Sequence, residues 1–266
     1  MSSVKNIHVR FKGFDKEMRD VWETYCLVHH LTGEGHSLVK VGKLKTPTMQ
    51  MLNGVYKTMS KQDTYGAISH LRNRTQPRTT LLEAVAIFED YLGWLVTNVL
   101  TDFPYLLRSN SPQADKEEQK LLNLIVDSGS RDEIIEQIIE EKVRGIFYGN
   151  PVDFFRKQKG KMNFGGYFEA KCAAPLEQYA EVTARRNIIA HNDGRVDRKY
   201  MREVKNATYR MNQAVQVPSS YLRESIALLL FLAGRATELI LINHYQDSAQ
   251  GTLSSRMKQC TILPPI

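Results

Sequence analysis

With 266 residues the chain is long enough to bury a sizeable core, and its 42% hydrophobic and 24% charged residues are ordinary for a globular protein. The formal net charge of +7 and pI near 9.2 favour polyanionic partners, nucleic acid first, although the same excess spread over this length also serves solubility alone. The three cysteines, Cys26, Cys172 and Cys260, are scattered and form no CxxC pair, which argues against a disulfide framework and a cysteine-based zinc site.

Met1 to Gly13 is polar and basic, without an apolar core of signal-peptide length. Together with the cysteine usage this predicts a cytoplasmic protein with no membrane partner. The most apolar stretch, Ile226 to Gly234, is about half a membrane span.

Val4 to Phe11 alternates weakly and reads as a short strand, Asp15 to Leu31 as a helix, and Thr32 to Gly35 as a break. Val39 and Val41 suit a second short strand or a loop. Helices are predicted over Thr46–Ser60 and Gln62–Arg72. The run Arg72 to Arg78, with Pro77, reads as a linker, or as arginines that follow a phosphate backbone.

A long helix, Thr80 to Leu107, carries Leu82, Val85, Phe88, Leu92, Leu95 and Val99 at helical spacing, and Asp102-Phe103-Pro104 bends or ends it. Capping boxes at Thr80/Glu83 and Ser130/Glu133, and cap-plus-proline pairs at Thr46-Pro47, Ser111-Pro112 and Asn150-Pro151, mark helix starts. Further helices are predicted over Ala114–Val126, Asp132–Phe147 and Val152–Lys157. The basic loop Lys157 to Lys161 is flanked by Phe154, Phe155, Phe164, Tyr167 and Phe168. These aromatics suit either a hydrophobic core or, with Arg156, a basic and aromatic RNA platform.

Gly165-Gly166 is a turn. The next helix, Pro175 to Asn192, stops at Asp193-Gly194, where glycine tolerates the left-handed backbone. Helices over Arg198–Val215 and from Pro218 to Tyr245 follow, and Gln246 to Ile266 reads as a loose tail. The domain division is therefore an N-terminal segment 1–74, a helical domain 75–247 and a tail 248–266. The fold class is all-α, with short strands and helices in the less certain N-terminal segment.

The Pro175–Asn192 helix ends in Arg185-Arg186-Asn187-Ile188-Ile189-Ala190-His191-Asn192. Arginine holds a phosphate and histidine moves a proton, a pairing that suffices for metal-free RNA cleavage. Asn187 and His191, four apart, share a face. Arg186 and His191, five apart, differ by about 140° around the helix, so they meet only if the side chain swings over, the last turn loosens, or a second chain supplies the partner. Arg185 lies about 120° away on the other side and competes for the role, with Glu181 as its natural partner one turn back. A second reading stays open, in which the arginines make surface ion pairs and His191 caps the helix dipole.

The Arg186-Asn187-x-x-x-His191 pattern, and the longer run through Gly194 with Tyr200 beyond it, resembles the Arg-x4–6-His signature of HEPN domains, especially those of bacterial proteins linked to RNA cleavage and phage defence. The similarity spans Pro77 to Tyr245. It implies a HEPN-like helical bundle that forms a homodimer, in which the motif helices meet and build a composite site. The implied activity is that of a metal-independent endoribonuclease in antiviral defence or a toxin–antitoxin pair, with RNA and an antitoxin or defence protein as partners. The implied alternative is a non-catalytic RNA- or protein-binding module. By the resemblance, Arg186 holds the scissile phosphate, His191 acts as general base on the 2′-OH or acid on the leaving 5′-oxygen, and Asn187 orients either. Arg185, Asn192 and Tyr200 are substrate-contact candidates. No cofactor is expected, and no acidic cluster with metal-ligand spacing accompanies the motif.

Overall fold

The computed structural model describes residues 3–107, 131–147, 151–156 and 162–260. It is all-α apart from one small hairpin. Three long helices form the centre: α1 (Ser3–Lys40), α3 (Gln76–Asp102) and α9 (Ser219–Tyr245), each packed on the other two. Between α1 and α3 lie β1 (Thr48–Gln50), β2 (Tyr56–Thr58) and α2 (Lys61–His70). After α3 come α4 (Arg131–Phe147), α5 (Asp153–Arg156), α6 (Tyr167–Lys171), α7 (Ala173–His191) and α8 (Arg198–Glu203). A last helix, α10 (Gly251–Cys260), follows α9.

α1 buries Ile7, Phe11, Phe14, Met18, Val21 and Tyr25, spaced alternately four and three apart, a narrow helical stripe. This stripe meets α3 at Tyr91, whose ring stacks on Phe14 at 4.4 Å and whose hydroxyl shares a buried 2.7 Å hydrogen bond with Thr237 of α9. The expected strand at Val4–Phe11 is thus helical, because Ile7 and Phe11 fall on that stripe and Val4 packs beside it, while Val9 stays exposed. Likewise Thr32–Gly35 does not break the helix, where the Thr32 hydroxyl bonds back to the Val28 carbonyl.

The predicted helix over Thr46–Ser60 is instead the antiparallel hairpin, with Met49 opposite Lys57. Gly54 at φ +80° turns the chain, Asn53 accepts a hydrogen bond from the Val55 amide, and Thr48 and Thr58 pair across the strands. The helix predicted next runs as α2. The expected linker at 72–78 is helical too. α2 runs through one π turn, Leu71–Thr75, into α3. Pro77 cannot donate to the preceding turn, and the widened turn falls just before it.

The division at residue 74 therefore falls inside continuous helix, and residues 7–25 share one core with α3 and α9. Nor is the tail loose up to Cys260. Leu253 and Met257 of α10 are buried, and Arg256 binds the buried Asp15 carboxylate at 2.6 and 2.7 Å. Phe154, Phe155, Phe164 and Phe168 are core residues in mutual edge contacts, which decides against the aromatic platform. The helix predicted at Ala114–Val126, the loop at Lys157–Lys161 and the caps at Ser111, Ser130 and Asn150 lie outside the described residues. Thr80 is not a cap but sits within α3, bonded to the Gln76 carbonyl.

α9 is long and apolar enough to cross a membrane by length and composition, more than the half-span stretch within it, and 67% of its most apolar window is buried in the core.

Candidate functional site at the end of α7

α7 packs on α3 and α9 and buries Leu176, Tyr179, Val182, Thr183, Ala184, Arg185 and Ile188. It ends as expected: the amides of Asn192 and Gly194 both bond to the Ile188 carbonyl, at 2.9 and 2.8 Å, with Asp193 and Gly194 in left-handed backbone. Beyond the stop the chain does not form the helix predicted to Val215. Only α8 forms, and residues 194–196 then pair with 212–215 through Val196–Gln213, Asn212–Val196 and Val215–Gly194 backbone bonds. Val196, Tyr200, Val204 and Val215 make a second small core beneath Ala184 and Ile188. The β-branched valines suit this extended pairing, and Asn212 at φ +64° turns the chain into it.

The two adjacent arginines have different environments. Arg185 is 6% exposed. Its guanidinium contacts Glu181 at 2.6 and 2.7 Å, donates to the Gln216 carbonyl at 2.6 Å, and lies 3.8 Å from the centre of the Tyr221 ring. Glu181 also accepts from Tyr200 at 2.8 Å and Tyr221 at 2.6 Å. Burial, reinforced by the Glu181 carboxylate, pushes the Tyr200 hydroxyl well up, so it stays a donor. Arg185 and Tyr200 were expected among the substrate contacts. Here they are interior groups that hold the 209–217 segment against α7, because a buried guanidinium and carboxylate each need partners.

Arg186 instead keeps about a quarter of its side chain exposed and pairs with Glu89 of α3, itself 27% exposed. Burial pushes the Glu89 carboxyl above its ordinary range, and Arg186 offsets this only in part. The Arg186 Nε is buried and has no hydrogen-bond partner among the described residues. Asn187 is half-buried and His191 exposed, and neither side chain has a hydrogen-bond partner among the described residues. Arg186 and His191 are not in hydrogen-bond contact within one chain. Asn192 donates to the Arg195 carbonyl at 2.7 Å and shapes the turn.

Two features are not legible along the chain. One is Glu89 of α3 as the partner of Arg186, which lies 97 positions away. The other is the binding of Asp193 by Arg74 and Arg78, residues distant in sequence. Arg74 Nη2 reaches both Asp193 carboxylate oxygens at 2.6 and 2.7 Å, and Arg78 Nη1 donates to the carboxylate at 3.2 Å and the Asp193 carbonyl at 3.1 Å. Arg74, ahead of Arg78, holds the Asp193 carboxyl below its ordinary range. Among the described residues no group of three or more His, Cys, Asp or Glu side chains is placed to hold a metal ion.

What the α7 end offers chemically is a guanidinium fixed by a half-buried carboxylate, a free amide, and an open imidazole, within six residues of one helix. No family model, curated protein or solved structure matches the chain.

Proposed function

We propose that this chain is a metal-independent endoribonuclease of HEPN type, acting as a homodimer whose two α7 ends form one composite site, in an antiviral-defence or toxin–antitoxin setting. The observation that carries the reading is the contrast along α7. Arg185 is closed into the interior, while Arg186, Asn187 and His191 keep atoms at the surface of the helix end.

In this scheme Arg186 binds the non-bridging oxygens of the scissile phosphate and stabilises the charge that builds on them. His191 takes the proton from the ribose 2′-OH, whose oxygen bonds to phosphorus. The P–O5′ bond breaks, and the leaving 5′-oxygen receives a proton from the second copy's imidazolium. The products are a 2′,3′-cyclic phosphate and a 5′-hydroxyl. Asn187, on the same face as His191, orients the imidazole or the phosphate. The 140° between Arg186 and His191 on one helix is why the scheme uses two copies.

The test is cleavage of total RNA in EDTA by the protein and its Arg186→Ala and His191→Ala variants. Both variants are expected to be inactive. Equal cutting by all three proteins removes the enzyme reading. A second reading, a non-catalytic RNA-binding module, is favoured by one observation: Arg186 is already paired with Glu89. Its sign is salt-sensitive RNA retention that survives His191→Ala with no cleavage by any form.

A further inference from the structure

Immediately beyond α7, a groove of about 240 Å3 opens between the start of α3 and the extended 214–217 segment. Arg74 and Arg78 line one side, with Pro77 between them, and Val215, Gln216 and Val217 line the other. The groove is below the ~300–1,000 Å3 of pockets that enclose a small-molecule ligand. Its far wall is held by Arg185, which bonds the Gln216 carbonyl, and by the Val215–Gly194 backbone bond. The groove is therefore built onto the same turn that follows His191 by two residues.

We infer that Arg74 and Arg78, at the edge of this groove, form a phosphate subsite for a neighbouring nucleotide of an RNA strand, and that the Asp193 carboxylate, which they bind outside the groove's lining, occupies the phosphate position until a strand displaces it. The inference rests on the RNA reading above. Arg74 and Arg78 converge on one set of oxygens, the arrangement by which guanidinium groups recognise phosphate. The present occupant is weakly held: Asp193 is 65% exposed and Arg74 46%, and exposed ion pairs contribute little net free energy. Asp193 sits on a two-residue left-handed turn at the helix end, so its side chain can swing out without unwinding α7. A strand that places one phosphate on Arg74 and Arg78 would lie beside the end of the helix carrying His191.

The experiment measures binding of a labelled single-stranded RNA to the full chain, in a His191→Ala background that prevents cutting, across a salt series. Arg74→Ala/Arg78→Ala is expected to weaken binding about tenfold or more and to lower the salt slope by about two. Asp193→Asn is expected to act in the opposite direction, tightening binding at least about threefold at ~0.1 M salt. A merely structural role for the cluster would weaken binding in both variants, and would overturn the inference. If the double variant fails to fold by its melting curve, Arg74→Ala alone, on the more exposed arginine, gives the same readout at half the slope change. Polyglutamate is included as competitor, and displacement of RNA by it at equal charge concentration would point to an acidic protein partner and overturn the phosphate assignment. Unchanged RNA affinity and slope in the arginine variants, while Arg186→Ala and His191→Ala still abolish cleavage, removes the groove and leaves the nuclease reading standing. RNA neither bound nor cut by any form removes both.

Discussion

Arg186 of α7 and Glu89 of α3 form an ion pair with 25% and 27% of their side chains exposed, and this pair ties the motif helix to the central helix of the fold. It gives Arg186 a defined direction, and it makes the same arginine a contributor to stability as well as a candidate for catalysis.

Arg186→Ala should therefore destabilise the fold, by about 1–2 kcal/mol for a pair at this partial exposure, and the loss should depend on pH. Burial already outweighs Arg186 and holds the Glu89 carboxyl above its ordinary range, and without Arg186 the folded pKa rises further above the unfolded value of about 4.3. Such a group favours the fold while protonated, below the unfolded value, and that contribution is lost as pH rises through the folded value. Denaturant unfolding should show a larger deficit for Arg186→Ala at pH 8 than at pH 4.5. Glu89→Gln/Arg186→Ala should remove that difference. An equal deficit at both pH values would mean that Glu89 is not charged against an empty site.

Arg185→Lys should fail to substitute for arginine. A lysine cannot bond Glu181 through two nitrogens, reach the Gln216 carbonyl and lie flat on Tyr221 at once. A loss of about 2–3 kcal/mol is expected, with faster amide exchange across 209–217. Tyr200→Phe, which leaves Glu181 with Arg185 and Tyr221, should cost only about 1 kcal/mol. Neither effect depends on RNA, and a cleavage defect in Tyr200→Phe without loss of stability would return Tyr200 to the substrate site.

Gly194→Ala combines two penalties. The residue has φ +73°, and an added Cβ would lie 2.7 Å from Arg78 Nη2. A loss of about 1–2 kcal/mol in thermal unfolding is expected, along with displacement of the Arg78 side chain from Asp193. Full stability in this variant would show that the turn relaxes freely.

The C-terminal helix α10 should behave as part of the core. Leu253→Ala is expected to cost about 2–3 kcal/mol. Arg256→Ala should cost less, because Arg19 still reaches the buried Asp15 at 3.1 Å. If removal of residues 248–266 leaves the melting temperature unchanged, α10 is dispensable and the packing of Leu253 and Met257 contributes nothing net.

Local chemistry made much of this molecule readable from the chain. The helix stop at Asp193-Gly194, the start at Pro218 and the long helices α3, α7 and α9 follow from proline position, glycine geometry and apolar spacing, all properties of neighbouring residues. Failures came where distant segments decide the outcome. Residues 4–11 are a helix because Ile7 and Phe11 join the core shared with α3 and α9 while Val9 faces outward, and 212–215 is extended because it pairs with 194–196. The candidate site divides the same way. The identities of Arg185, Arg186, Asn187 and His191 stand in the sequence, but which arginine is buried and which stays open was settled by Glu89, Tyr221 and Gln216, which lie 97, 36 and 31 positions away. A charged side chain takes whatever partner the fold brings to it, and no pattern along one helix encodes that partner.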